Sequence, residues 1–334
     1  MSTYEKLNHK VVVIAGASAG VGRATAREFA KYNMKIALLS RGKKALEATA
    51  REVEAAGSEA MILPVDLADH EAVEQAAQKI QDTWKIIDIW VNNAMLSVFA
   101  PFTKVEPEDF KRVTEVSYLG QVNGTRAALK RMVPRNKGNI ILVGSALAYR
   151  GIPLQSAYCG SKHAIQGFFD SLRSELIHDG SNINLSMVQL PAMNTTQFGW
   201  VKTFFDRKPK PMGKIYQPEV AARAISYLAT HKRRSVWVGF STLQTIFGNY
   251  VAPGFLDHFL AKGGYEGQLT DKKEEANRKH NLYEPVDEDR GAHGEFDDQA
   301  VDSSVQLWLS KNKNELGIAA GAALLVAGLW KLLD

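Results

Sequence analysis

Apolar residues along this chain come in short runs separated by amphipathic stretches. The runs fall at 11–15, 35–39, 60–65, 86–91, 139–143, 183–189 and 235–238, and their length and content suit strands. Between them, 23–32, 43–56, 69–83, 107–132, 156–178 and 218–230 carry apolar positions at helical spacing. This alternation, without an internal repeat, predicts an α/β fold: a Rossmann-type doubly wound parallel sheet with helices on both faces. Ligands of such sheets bind beyond the carboxyl ends of the strands. Candidate chemistry is therefore sought there.

The first strand, within Lys10-Val-Val-Val-Ile-Ala-Gly-Ala-Ser-Ala-Gly-Val-Gly-Arg23, runs straight into glycines at 16, 20 and 22 and then into a helical pattern. Glycines at a strand-to-helix turn let the backbone approach a pyrophosphate, whose charge the free N–H groups and the helix dipole stabilise. Gly16, Ser18, Gly20, Val21 and Gly22 are the expected contacts. The spacing G-x-x-x-G-x-G differs from the commoner dinucleotide fingerprint G-x-G-x-x-G.

A second group lies farther along. Tyr158 and Lys162 stand four apart, on one face of a helix, and Ser145 ends an apolar run upstream. A lysine cation beside a phenol favours the phenolate, so Tyr158 is expected to titrate nearer neutrality and to act as general acid and base. Ser145 is expected to hold the substrate oxygen.

The glycine spacing, Asp66 after the third strand, Asn92-Asn-Ala94 after the fourth, Ser145 and the Tyr158-x-x-x-Lys162 pair together resemble the short-chain dehydrogenase/reductase family over roughly residues 8 to 240. The resemblance implies a nicotinamide dinucleotide as hydride carrier, a carbonyl or alcohol substrate, no metal, and Lys162 on the nicotinamide ribose. It also implies that Asp66 contacts adenine, although an acid there equally suits a helix N-cap, and that Asn92 braces the sheet near the adenosine. Met95 stands where the family has glycine. Ser117 occupies the position of an asparagine that holds a relay water. Leu190-Pro-Ala-Met-Asn-Thr195 replaces the usual Pro-Gly segment, with Pro191 and Thr195 expected over the nicotinamide.

The end of the second strand, Leu38-Leu-Ser-Arg-Gly42, lacks the acid that would accept hydrogen bonds from a ribose 2′-hydroxyl. Ser40 and Arg41, with Ser18, instead suit a 2′-phosphate, which an arginine grips through charge-assisted bonds. NADP is the expected cofactor. The alternative for Arg41 is a solvated residue at a helix start.

Composition adds bounds. The chain has 334 residues, 45% of them hydrophobic, enough for one large core with an extension. A single cysteine, Cys159, allows no intrachain disulfide and is expected to pack beside the site. The net charge of +5, without a basic stripe interleaved with aromatics, does not point to nucleic acid. Met1 to Asn8 is polar, so no secretory signal is expected.

We divide the chain into a catalytic domain at 1–240 with a substrate lid at 191–216, a helical appendage and polar linker at 241–304, and a terminal segment at 305–334. In the lid, Phe198, Trp200, Phe204 and Phe205 either line an apolar pocket or pack the lid down. The first alternative implies a bulky, lipid-like ketone or alcohol. Leu316 to Trp330 is uncharged, and with Leu332 and Leu333 the hydrophobic stretch reaches about 27 Å as a helix, just under a ~30 Å hydrocarbon core. It is expected to anchor a cytoplasmic enzyme to a membrane, the alternative being a helix buried on protein. A homo-oligomer is expected. The rival functions are a same-fold epimerase or dehydratase, and a membrane-associated NADP-binding regulator with little activity.

Overall fold

A computed structural model describes residues 2–275 and 277–313. Seven strands, β1 (Val11–Ala15), β2 (Lys35–Ser40), β3 (Glu59–Pro64), β4 (Ile89–Asn92), β5 (Asn139–Ser145), β6 (Asn184–Leu190) and β7 (Ser235–Trp237), form one sheet in the order β7-β6-β5-β4-β1-β2-β3. Every pairing in it is parallel. Parallel neighbours require crossovers, supplied by α1 (Gly20–Ala30), α2 (Lys43–Ala55), α3 (His70–Trp84), α4 (Pro107–Thr114), α5 (Gly120–Met132), α6 (Ser156–His178) and α7 (Pro218–Thr230).

Successive strand residues point to opposite faces, and the core divides accordingly. Val12, Ile14, Ile36 and Leu38 pack with Phe29 of α1 and Ile225 and Leu228 of α7. Val11, Val13, Ala37 and Leu39 pack on the other side with Val73 and Ile80 of α3 and Phe169 of α6. Both faces are buried, which explains why these strands read as continuous apolar runs.

Two local features position the site. The turn from β1 into α1 is tied down by Gly16 N–H and Ala17 N–H, which donate to the Leu39 carbonyl at 2.7 and 3.1 Å. Gly16 (φ +83°) and Gly20 (φ +55°) adopt left-handed backbone there, which glycine tolerates. Whereas Asp69 caps α3 by accepting from the N–H groups of Glu71 and Ala72 at 3.0 Å, α1 has no side-chain cap. The second feature is a π-helical turn, Glu115–Leu119, that splits the helix expected at 107–132. Such turns insert an extra residue and re-aim side chains.

Beyond residue 240, α8 (Phe240–Val251) and α9 (Pro253–Gly263) follow directly on β7. The polar stretch after them, expected as a linker, lies against the sheet domain instead. α10 (Val305–Lys311) buries Leu307 in the same cluster as Tyr227 and Val236. The run at 316–333, expected as a membrane anchor, lies outside the described residues. Among the described residues, no helix is long and apolar enough to cross a membrane.

Candidate active site

A cavity of about 630 Å³ opens at the carboxyl ends of the strands, with the glycine turn contributing to one part and the lid with α8 and α9 to another. It is lined by every expected site residue except Gly22, Asn92 and Ser117.

Ser145, Tyr158 and Lys162, expected as a proton-transfer group, line the cavity together. Tyr158 and Lys162 project from the first turns of α6, with the lysine Nζ 5.5 Å from the phenol ring centre. Lys162 is fully buried and donates to the Val143 carbonyl at 2.8 Å. Ser145, at the end of β5, accepts from Leu147 N–H at 3.1 Å. The electrostatics correct one expectation. Burial pushes the Tyr158 phenol well above its ordinary range, and a hydrogen bond from Ser145 only partly offsets it. Burial also lowers Lys162 to about 7. Desolvation thus raises the phenol where a lowering by Lys162 was expected, and Tyr158 keeps its proton at neutral pH. Cys159 does not line the cavity, and burial pushes its thiol up to about 11, so it supplies no thiolate at neutral pH.

The three residues absent from the lining have other work. Ser117 accepts from Leu96 N–H at 2.8 Å and gives its one hydroxyl proton to Leu96 C=O at 3.0 Å. It braces the loop after β4 and does not face the cavity as a relay residue would. Asn92 accepts from Trp90 Nε1 at 3.0 Å and donates to Thr125 at 3.1 Å, holding α5 to β4 behind the cavity wall. Its neighbour Asn93, the second asparagine of that motif and not among the expected contacts, lines the cavity and donates to the Gly16 carbonyl at 3.1 Å. Gly22 acts by what it lacks: a Cβ there would lie 1.9 Å from the Gly16 oxygen and 2.7 Å from Asn93 Nδ2.

At the end of β2, Ser40 donates to Ser18 at 2.8 Å, and both face the cavity. Arg41 is not a solvated residue at a helix start. It lines the cavity and donates to backbone carbonyls of Asn281, Leu282 and Tyr283. Asp66 is not a helix cap, since Asp69 fills that role. One Asp66 oxygen accepts from Ala68 N–H at 3.0 Å and the other pairs with Arg112, which no sequence motif marks.

Of the lid aromatics, Phe198 and Trp200 line the cavity. Phe198 is wedged edge-on between Phe99 and Phe296, with ring centres 6.0 and 5.9 Å apart. Phe204 is 40% exposed, and Phe205 packs on Tyr265, so neither lines the cavity. Leu256, Phe259 and Leu260 of α9 do. Their i, i+3, i+4 spacing was the signal that this appendage has an inward face.

The cradle that a Cβ at Gly22 would fill, the uncapped start of α1 and the serine–arginine end of β2 fit a phosphorylated dinucleotide. Comparison with known proteins points to dinucleotide-binding oxidoreductases. A sequence profile of the short chain dehydrogenases matches residues 10–203. The uncharacterized oxidoreductase YxnA of Bacillus subtilis is 30% identical over 97% of this chain and 90% of its own length. Rat dehydrogenase/reductase SDR family member 7B is 37% identical over 51% of this chain, and that match spans about half of the rat protein, 54%. Among solved structures, a metagenomic short-chain oxidoreductase in complex with NADP superposes with a TM-score of 0.60 at 25% identity, covering 70% of this chain and 97% of that one. NAD+-bound xylitol dehydrogenase superposes with a TM-score of 0.54 at 30% identity, covering 56% and 72%.

Proposed function

Since the chain belongs to the short-chain dehydrogenase/reductase family, we propose that it is an NADP(H)-dependent oxidoreductase interconverting a bulky apolar ketone and its secondary alcohol. The observation that carries this reading is that Ser145, Tyr158 and Lys162 open onto the same cavity as the glycine turn. A bound nicotinamide supplies or accepts the hydride, which no side chain can. Tyr158, protonated at neutral pH, gives its proton to the carbonyl oxygen, and the Ser145 hydroxyl donates to that same oxygen as charge develops. Lys162, held by the Val143 carbonyl, stabilises the phenolate left behind. Phe198, Trp200, Leu256, Phe259 and Leu260 support an apolar substrate. The test is turnover of NADPH with a panel of apolar ketones. Tight NADPH binding with no oxidation across the panel would favour a regulatory protein instead.

The choice of NADP rests on Ser18, Ser40 and Arg41 and on the absence of an acid at the end of β2. The NADP-bound relative supports it, while the NAD-bound one shows that the family's fold accommodates either. Arg41→Ala should weaken NADPH about tenfold or more, the worth of a charge-assisted bond, and leave NADH far less affected. The ratio of the two dissociation constants isolates the phosphate contact, because any general loosening affects both. An unchanged ratio would remove Arg41 from the phosphate site.

An apolar substrate also fits the uncharged run at 316–330 acting as a membrane anchor. Because Leu307 is part of the core, the informative truncation follows Lys313. That chain should leave the membrane fraction while keeping its melting temperature. A full-length chain that is already in the soluble fraction would overturn the anchor.

A further inference from the structure

The polar stretch after α9 is bonded to both the substrate lid and the cofactor part of the cavity. Asn281 N–H donates to the Trp200 carbonyl of the lid at 3.0 Å. Leu282 is fully buried in a cluster with Leu96 and Val116. The Tyr283 hydroxyl donates to the buried carboxylate of Asp109 at 2.8 Å, and Lys202 of the lid reaches the other oxygen of that carboxylate at 2.6 Å. Farther on, Asp287 accepts from Lys44 N–H in the first turn of α2 at 2.8 Å. Asp289 pairs with Arg23 of α1, and the Gly291 carbonyl accepts from Gly20 N–H at 3.3 Å. Asn281, Pro285 and Val286 line the cavity together with Arg41, Gly42 and Asp66.

We propose that residues 281–291 form a strap that closes over the adenosine end of the bound dinucleotide and must part before the cofactor can exchange. Resting on the proposed function above, this assigns to the extension a part in cofactor retention. Three features support it. The strap forms a wall of the cavity beside the residues read as the adenosine and 2′-phosphate site. Arg41 serves as its clasp: a guanidinium has five N–H donors, so it can hold strap carbonyls and still offer a donor to a phosphate. Finally, the strap has neither helix nor strand along 281–291. It is held by separate side-chain and backbone bonds and by the one buried side chain of Leu282, none of them part of the sheet, so it can lift without unfolding the sheet beneath.

The test uses the full chain and measures cofactor release by stopped-flow fluorescence of NADPH, or of NADH if only that binds. The variants Tyr283→Phe and Asp289→Ala each delete one anchor outside the cavity lining. Each should speed release about tenfold or more, the worth of a hydrogen bond to a charged group. In the unmodified chain, bound dinucleotide should slow amide exchange across residues 281–291. Release rates unchanged in both variants would overturn the strap while leaving the proposed function intact. If neither dinucleotide binds, the proposed function fails and the strap inference fails with it.

Discussion

Tyr158→Phe should lower ketone turnover about a thousandfold or more, within or beyond the span that a positioned general acid contributes, while dinucleotide affinity and melting temperature barely change. The substitution removes one oxygen and keeps the ring that packs beneath Lys162. Its loss is therefore expected in kcat and kcat/KM alike, as for an interaction made only in the transition state. The same group predicts a pH dependence. Lys162 carries its charge below about 7, and that charge stabilises the phenolate that proton donation creates. Reduction should therefore fall as pH rises through about 7. A reduction rate that stays flat into alkaline solution would remove the lysine charge from the mechanism.

Gly22→Ala should have the largest effect on folding. The added Cβ meets the Gly16 carbonyl at 1.9 Å and Asn93 Nδ2 at 2.7 Å, so a methyl group must displace the backbone turn and the side chain that braces it. Overpacking of this kind costs roughly 3 kcal/mol, or on the order of 4 °C in Tm for a chain of 334 residues. Dinucleotide binding should be lost with it. Gly167→Ala is the control. It lies within α6, and its Cβ would meet nothing within 4 Å, so it should stabilise by about 0.5–1 kcal/mol. Comparable melting temperatures for the two variants would contradict the account of the cradle.

The sheet was legible because both its faces are buried, giving each strand an apolar run that turn residues bound. Other features left weaker traces. Asn92 and Asn93 are adjacent at the end of β4, one bonded behind the wall and the other on the cavity, and a motif match does not say which is which. Ser117 lies in a π-turn and bonds to Leu96; its expected relay role came from its place in the family motif, which carries no mark of that turn. The strap is the clearest case. Arg41, Arg112 and Lys44 bind it through backbone carbonyls and one carboxylate, and such bonds impose no spacing on the sequence, so it read as a linker. The raised phenol of Tyr158 was hidden for another reason: helical spacing shows that a lysine is near but not how far the surrounding chain desolvates the phenol.

Hydride transfer itself provides the most direct test. NADPH carrying deuterium at the transferable position of the nicotinamide would be incubated with the full-length chain and an apolar ketone, and the product alcohol analysed by mass spectrometry. The account predicts deuterium on the carbinol carbon, with no label transferred by Tyr158→Phe over the same time. Alcohol formed without the label, or labelled equally fast by Tyr158→Phe, would contradict it.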